Sequence, residues 1–500
     1  MKYRILATIL ATLMLVSTLL ACGKSADTGD AVTTTAPAAD AGTTAASETP
    51  AETAAPTVED LLGFPEENNN GNVFNILCGQ HKAYEFGSES QVGEVVSDAV
   101  YQRDLAVEEY LGININVILE AGAWAERNSF NDKIVKAVNA GDNSYDLVNN
   151  TIVCTMPASQ QGIFTEGGEL PHVNFDQPWW IANMYERFAI ADKLYGFLGD
   201  ASLSLYKDMN VIFFNKQIWG EKKPDVNLYD LVRKGEWTLD KFIELTSDMA
   251  EDLNGDSVYN ENDLLTFVGE RVPCGTWQTS LGLDVVVLDE AGKPTVLGMT
   301  ERFVNAYDKM SAYHQNTPGV MRFASIDAQT YDSMKLFANG QVATMCNFIY
   351  STEYIRDMED DYGIIPIPKY DTEQENYITQ LGTSTSMLFV PTTASDFALT
   401  SKVMESLAYY GYTDVTPKYY EVALKTKYSS DVDMQEMLDL IRETATIDFL
   451  FVYGTTLSSA PNEYFRFTSF IPGIASVYSK TQRVFEKSVE KLVTAYEKLP

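Results

Sequence analysis

Asn72-Val73-Phe74-Asn75-Ile76-Leu77, a short apolar run, opens the stretch that decides the fold. Glu94 to Leu111 follows it, with Val95, Val96, Ala99, Val100, Leu105, Ala106, Tyr110 and Leu111 at helical spacing. Ile113-Asn114-Ile115-Asn116-Val117-Ile118 then reads as a second strand, Phe130 to Asn139 as a second helix, and Tyr145-Asp146-Leu147-Val148 as a third strand. This β-α-β-α-β order predicts an α/β fold built on a parallel sheet, with ligands beyond the carboxyl ends of the strands. Further helices are expected over Thr238–Leu253, Glu301–His314, Ser401–Tyr410 and Ser430–Thr444.

Ahead of this body the chain reads as an address. Lys2 and Arg4 precede an apolar run from Ile5 to Leu20, the pattern of a secretory signal over residues 1–21. Leu19-Leu20-Ala21-Cys22-Gly23 resembles the bacterial lipobox, which implies cleavage before Cys22 and a diacylglycerol on its thiol. Residues 22–57 are almost entirely Ala, Thr, Ser, Gly, Asp, Glu and Pro, so an anchored, disordered acidic tether is expected. An extracytoplasmic body held at the bacterial cell membrane follows from these features.

The body is large enough for two lobes: the chain has 500 residues, 45% of them hydrophobic and 12% aromatic. Its 36 basic and 70 acidic residues leave a net charge of −34, which repels phosphate backbones and excludes nucleic acid as a partner. Cys78, Cys154, Cys274 and Cys346 form no CxxC or Cys/His cluster and read as small buried hydrophobes.

Five further stretches carry a resemblance. Asn139-Ala140-Gly141 leads to Tyr145-Asp146-Leu147-Val148, and Met209-Asn210-Val211-Ile212-Phe213-Phe214-Asn215-Lys216 is a strand ending in Phe-Asn-Lys. Gly235-Glu236-Trp237-Thr238-Leu239-Asp240-Lys241-Phe242 begins a helix. Phe337-Ala338-Asn339-Gly340-Gln341-Val342-Ala343-Thr344-Met345 and Tyr362-Gly363-Ile364-Ile365-Pro366-Ile367-Pro368 complete the set. In this order the chain resembles the extracellular solute-binding proteins of ABC transporters, family 1, related to maltose-binding protein. Thr344 stands where that family has Ala.

The resemblance implies a type II periplasmic-binding-protein-like fold. Its N-terminal lobe would comprise 58–202 and 375–430, its C-terminal lobe 203–374 and 431–500. Hinge segments would lie near Asp200–Asp208 and Leu381–Pro391. It implies a monomer that captures a small solute, a mono- or oligosaccharide, in an interlobe cleft and delivers it to ABC permease subunits.

Sugars present apolar faces and a rim of hydroxyls, so their sites pair aromatics with fixed polar groups. Trp277, in the irregular stretch Pro273–Ser280, and Tyr350, with Asn347 beside it, are expected to meet the ligand by resemblance. Asn149 and Asn150 at the end of the third strand, Gln80 and His81 after the first, and Trp124 after the second are candidates by position. Trp219 and Trp237 read as core, and Trp179-Trp180 as structural packing.

Asp252-Leu253-Asn254-Gly255-Asp256-Ser257-Val258-Tyr259-Asn260-Glu261-Asn262-Asp263 matches a twelve-residue calcium loop. Asp252, Asn254, Asp256, Asn260 and Asp263 supply side-chain oxygens, and Val258 its carbonyl, for a structural Ca²⁺. Ser257 replaces the usual Gly at the sharp turn, and Asp263 the usual Glu.

The sequence holds no GxSxG, HExxH, GxxxxGK or GxGxxG, and His81, His172 and His314 are isolated. A binder rather than an enzyme is expected. The alternatives are a surface glycoside hydrolase, which abundant carboxylates allow, or a glycan-capture protein with no transport role.

Overall fold

Two sheets organise the chain in a computed structural model that describes residues 56–86, 91, 93–323, 332–425, 431–466 and 470–499. The first sheet forms as the alternation predicts. β1 (Asn72–Gly79) lies parallel to β2 (Ile113–Glu120) on one side and to β3 (Leu147–Thr151) on the other. The helix Val95–Leu111 connects the first two strands and stops at Gly112, whose φ of 60° turns the chain directly into β2. A Cβ at that glycine would come within 2.7 Å of the Asn68 Cα. The helix Arg127–Asn139 returns the chain to β3.

The second sheet has the order β10-β4-β9-β5-β8. It is built from β4 (Asn210–Asn215), β5 (Leu265–Glu270), β8 (Val320–Phe323), β9 (Val342–Phe348) and β10 (Tyr362–Pro366). β5 runs parallel to β8 and β9, whereas β4 is antiparallel to β9 and β10. Every residue of β4, β5, β9 and β10 is buried, as expected for strands covered on both faces. Thr344 keeps its place in β9 by donating its hydroxyl to the Thr266 carbonyl, at 2.7 Å. A separate hairpin pairs β6 (Val286–Leu288) with β7 (Pro294–Val296).

Segments linking the two sheets run side by side. Residues 200–209 lead into β4, and β11 (Thr379–Gln380) leads toward β12 (Ser386–Phe389), which joins the first sheet antiparallel to β3. β13 (Ala445–Thr446) pairs in parallel with β11. The Gly382 amide donates to the Asp208 carbonyl at 2.8 Å and the Leu381 amide to the Thr446 carbonyl at 2.9 Å. The long helix Ile474–Tyr496 reaches back toward the Met156–Gln161 turn, where the Tyr496 and Ser159 hydroxyls meet at 2.5 Å.

The helix expected over Thr238–Leu253 is only Leu239–Thr246. Thr246 and Ser247 give their hydroxyls to the Phe242 and Ile243 carbonyls, at 2.7 and 2.5 Å. Such back-bonding weakens a helix end. The chain beyond is then drawn into an extended bridge between Glu251 and Leu264. Trp219 and Trp237 are core residues, their indoles bonded to the Ala343 and Pro366 carbonyls. Cys78, Cys154, Cys274 and Cys346 are buried and form no disulfide among the described residues. Cys22, the signal and the tether up to residue 55 lie outside the described residues.

Buried carboxylates recur in this architecture. Glu405 accepts both adjacent indole N–H groups, from Trp179 at 2.8 Å and Trp180 at 2.7 Å. Burial nevertheless pushes its carboxyl up to about 7. Burial also raises Asp200, to about 6, against the pull of Arg442. Asp448 is raised by burial and by the charge of Asp284. Each acid holds its proton more tightly folded than unfolded, so its stabilising contribution is complete below its unfolded value near pH 4. That contribution is lost as pH rises through about 6 to 7. Urea midpoints should therefore be higher at pH 5 than at pH 8, and Glu405→Gln should flatten the profile. A profile unchanged by Glu405→Gln would exclude this carboxyl as a source of the effect.

Candidate functional site

β1 ends at Gly79, where a Cβ would strike the Asn150 side chain and the His81 ring. The 3-10 helix Gln80–Glu85, two turns long, follows. Its three-residue period buries Lys82 and Glu85 together, while Gln80, His81 and Tyr84 face outward. The turn thus delivers charge to the floor of the region beyond the parallel strands.

Three walls meet there. The first sheet contributes the Gln80–Glu85 turn and the start of the Val95–Leu111 helix. The short helix Ser204–Lys207 contributes Lys207, and the turn Thr352–Ile355 after β9 contributes Glu353. They enclose a cavity of about 280 Å³ lined by Tyr84, Glu94, Leu203, Lys207, Glu353 and Tyr419, among others. The Lys207 ammonium pairs with Glu353 at 2.6 Å and lies 4.9 Å from the Tyr84 ring centroid. Tyr84 itself is 40% exposed, an aromatic face open to the cavity.

Beneath this surface sits an incomplete set of hydrogen bonds. Lys82 is only 3% exposed, and its ammonium donates to the Tyr84 hydroxyl at 3.2 Å. Asp208 is 4% exposed, and its Oδ2 has no hydrogen-bond partner among the described residues. Burial raises the Asp208 carboxyl, and the nearby Lys82 charge and a hydrogen bond from the Ser384 side chain draw it back. Asn149 Oδ1, Asn150 Oδ1, Ser351 Oγ and Thr385 Oγ1 are likewise buried without partners. Polar atoms so placed are satisfied by water or by a ligand.

The residues singled out in the sequence fall unevenly around this floor. Asn149 donates to Glu85 at 2.8 Å, and Asn150 to the Gly122 carbonyl at 3.1 Å and Thr155 at 3.0 Å. Each is held by its amide nitrogen with its oxygen left over. The His81 Nε2 meets the Thr151 hydroxyl at 2.7 Å, tying β1 to β3, and Gln80 is exposed. Trp124 is 52% exposed with the Arg127 guanidinium 3.9 Å above its ring. Tyr350 is half-buried between Phe348 and Tyr354. Asn347 is wholly buried, bonded to Ser333 at 3.3 Å and to the Phe348 amide at 2.8 Å, so its polar atoms serve the protein.

Trp277 requires a correction. The stretch Pro273–Ser280 is not an irregular rim but parts of two short helices, Arg271–Gly275 and Trp277–Ser280. Trp277 is wholly buried, edge-on to Phe242 at 5.2 Å and Phe267 at 6.2 Å, with its indole donating to the Cys346 sulfur at 3.2 Å. It has no face for a ligand. Lys82, Tyr84, Lys207, Asp208, Glu353 and Tyr419 were not singled out in the sequence. The signal for two of them was the charged pair Lys207-Asp208 set within an apolar run.

The loop Asp252–Asp263 is closed at its base by the Glu251–Leu264 bridge. Ser257 takes the left-handed conformation, φ 63°, that glycine ordinarily supplies. Asp252 accepts the Gly255 and Ser257 amides, and Asp263 those of Leu253 and Asn260. Among the described residues, no group of three or more His, Cys, Asp or Glu side chains converges as a metal site.

Because Trp277 is core, Trp277→Ala should lower stability by about 3–5 kcal/mol, read as a drop in urea midpoint. Affinity for a cleft ligand measured on the remaining folded protein should stay within about twofold. A selective loss of affinity with normal stability would return Trp277 to the site.

No family model matches the sequence, and no curated protein matches it. Solved structures do. An ABC substrate-binding protein from Listeria monocytogenes in complex with cycloalternan is 12% identical, over 86% of this chain and 100% of its own, with a TM-score of 0.51. UgpB from Mycobacterium tuberculosis in complex with glycerophosphocholine is 13% identical, over 85% of this chain and 99% of its own, also with a TM-score of 0.51. At such identities the likeness concerns architecture. This chain has the two-sheet α/β fold of ABC solute-binding proteins.

Proposed function

We propose that this chain is a lipid-anchored extracytoplasmic receptor that captures a polyhydroxylated solute, a mono- or oligosaccharide, and delivers it to ABC permease subunits. The observation that carries the reading is the unmet pair on the cleft floor. Lys82 has donors to spare, and Asp208 Oδ2 lacks one. A hydroxyl is the group that can accept from the first while donating to the second. An exposed tyrosine face beside the pair suits the apolar side of a sugar ring. Proteins of this fold hold cycloalternan in one case and glycerophosphocholine in another. The fold therefore leaves the solute open, and the cleft's own atoms argue for a polyol.

Binding needs no bond chemistry. The lobes, 58–202 with 375–430 and 203–374 with 431–500, would close about the adjoining linking segments as the ligand selects the closed form. Among the described residues no helix is long and apolar enough to cross a membrane. Attachment at Cys22 remains the route to the surface in this reading.

A thermal-shift screen of the full chain against mono- and oligosaccharides tests it. A ligand at a hundred times its Kd adds about 2.7 kcal/mol of apparent stability. Lys82→Met and Asp208→Asn should each weaken the selected sugar by roughly 10–100-fold. Affinity unchanged in both variants would reject the floor pair. A sugar recovered cleaved would identify a hydrolase instead.

We further propose that the Asp252–Asp263 loop takes a structural Ca²⁺, with Asp252, Asn254, Asp256, Asn260, Asp263 and the Val258 carbonyl as ligands. Ser257 in the left-handed turn and the closed loop base support this. Chelation should lower Tm and added calcium restore it, with Asp252→Asn reducing the calcium-dependent increment. A Tm indifferent to chelator would exclude the ion.

A further inference from the structure

A second cavity, also of about 280 Å³, opens at the other end of the first sheet, where β1 begins. Asp146 and Thr400 line its floor, Ser395 and Asp396 its rim, and Val73 and Leu399 an apolar side. Asp146 precedes β3, and Asp396 caps the fourteen-residue helix Phe397–Tyr410 by accepting the Leu399 amide at 3.0 Å.

Two independent features set this cavity apart from an ordinary surface hollow. Asp146 is only 6% exposed, bonded to the Asn75 amide and the Ser395 hydroxyl at 2.9 Å each. Neither it nor Asp396 has a Lys or Arg partner among the described residues; the nearby Lys402 is held by Glu67. Buried charges are ordinarily paired. Thr400, 1% exposed, lines the same cavity with its hydroxyl unpartnered among the described residues.

We infer that this cavity binds an alkyl cation, a guanidinium or ammonium group on an aliphatic stem. The cationic head would lie between Asp146 and Asp396, donating also to the Thr400 hydroxyl, and the methylenes would lie along Val73 and Leu399. A metal ion suits the space less well. Calcium asks for six or more oxygens in a tight shell, whereas this cavity is wide and apolar on one side. The inference does not depend on the solute-receptor reading, since the cavity and the cleft share no lining residue.

Titration of the full chain with agmatine, monitored by Tm and calorimetry, tests it. Asp396→Ser is the informative variant because serine still caps the helix while the charge is removed. Saturable binding of agmatine is expected, weakened roughly tenfold or more by Asp396→Ser and to a smaller extent by Thr400→Val. Neutral butylurea should produce no response, and Lys82→Met should leave agmatine binding intact. A Gly-Arg-Gly peptide that binds more tightly than agmatine would indicate a side chain presented by a protein; the reverse order would indicate a free cation. The inference is overturned by the absence of saturable binding, by an equal response to butylurea, by indifference to both cavity variants, by loss of binding in Lys82→Met, or by calcium alone giving the response that Asp396→Ser removes.

Discussion

The carboxylate of Glu85 receives the Asn149 amide at 2.8 Å, the Ser204 backbone N–H at 2.9 Å and the Ser386 hydroxyl. These donors come from the middle of β3, from the linking segment that feeds β4, and from the start of β12. One buried charge thus fastens the first sheet to the segments that leave and rejoin it. Its own carbonyl accepts from Arg103, which also holds the Ala201 carbonyl at 2.9 Å. Burying a carboxylate costs several kcal/mol, and charged hydrogen bonds return about 1.5–3 kcal/mol each, so it is tolerable only when fully satisfied. The arrangement requires each of these elements to be in place together.

The cleft inherits its geometry from that constraint. The turn that buries Glu85 also buries Lys82, three residues earlier, and exposes Tyr84 between them. Asp208 lies where the Gly382 amide caps the same linking segment. Fixed charges, an open aromatic ring and unspent acceptors therefore converge where the chain passes between the sheets.

The misplacement of Trp277 shows how a local sequence pattern can mislead about a single residue. Pro273-Cys274-Gly275-Thr276-Trp277 contains the small and turn-forming residues of a loop. The chain instead makes two short helical turns because Asn210 reaches across to bond Thr276 and the Pro273 carbonyl. That contact joins residues more than sixty positions apart, and no local pattern announces it. Asn347 and Trp124 differ in the same way: one has its polar groups consumed inside the protein, and the other keeps an open indole under Arg127.

Local sequence pattern was enough for the α/β class, the order of β1 to β3 and their helices, the core standing of Trp219 and Trp237, and the burial of the four cysteines of the body. Those features rest on periodicity and composition, which act over a few residues. Tertiary structure alone decided the pairing of β11 with β13, the antiparallel return of β12 and the convergence of Lys82, Tyr84, Lys207, Asp208 and Glu353. It also placed Asp146 and Thr400 on one cavity floor, 254 positions apart in the chain. Which polar atoms remain unsatisfied is settled only when distant segments have taken their hydrogen bonds.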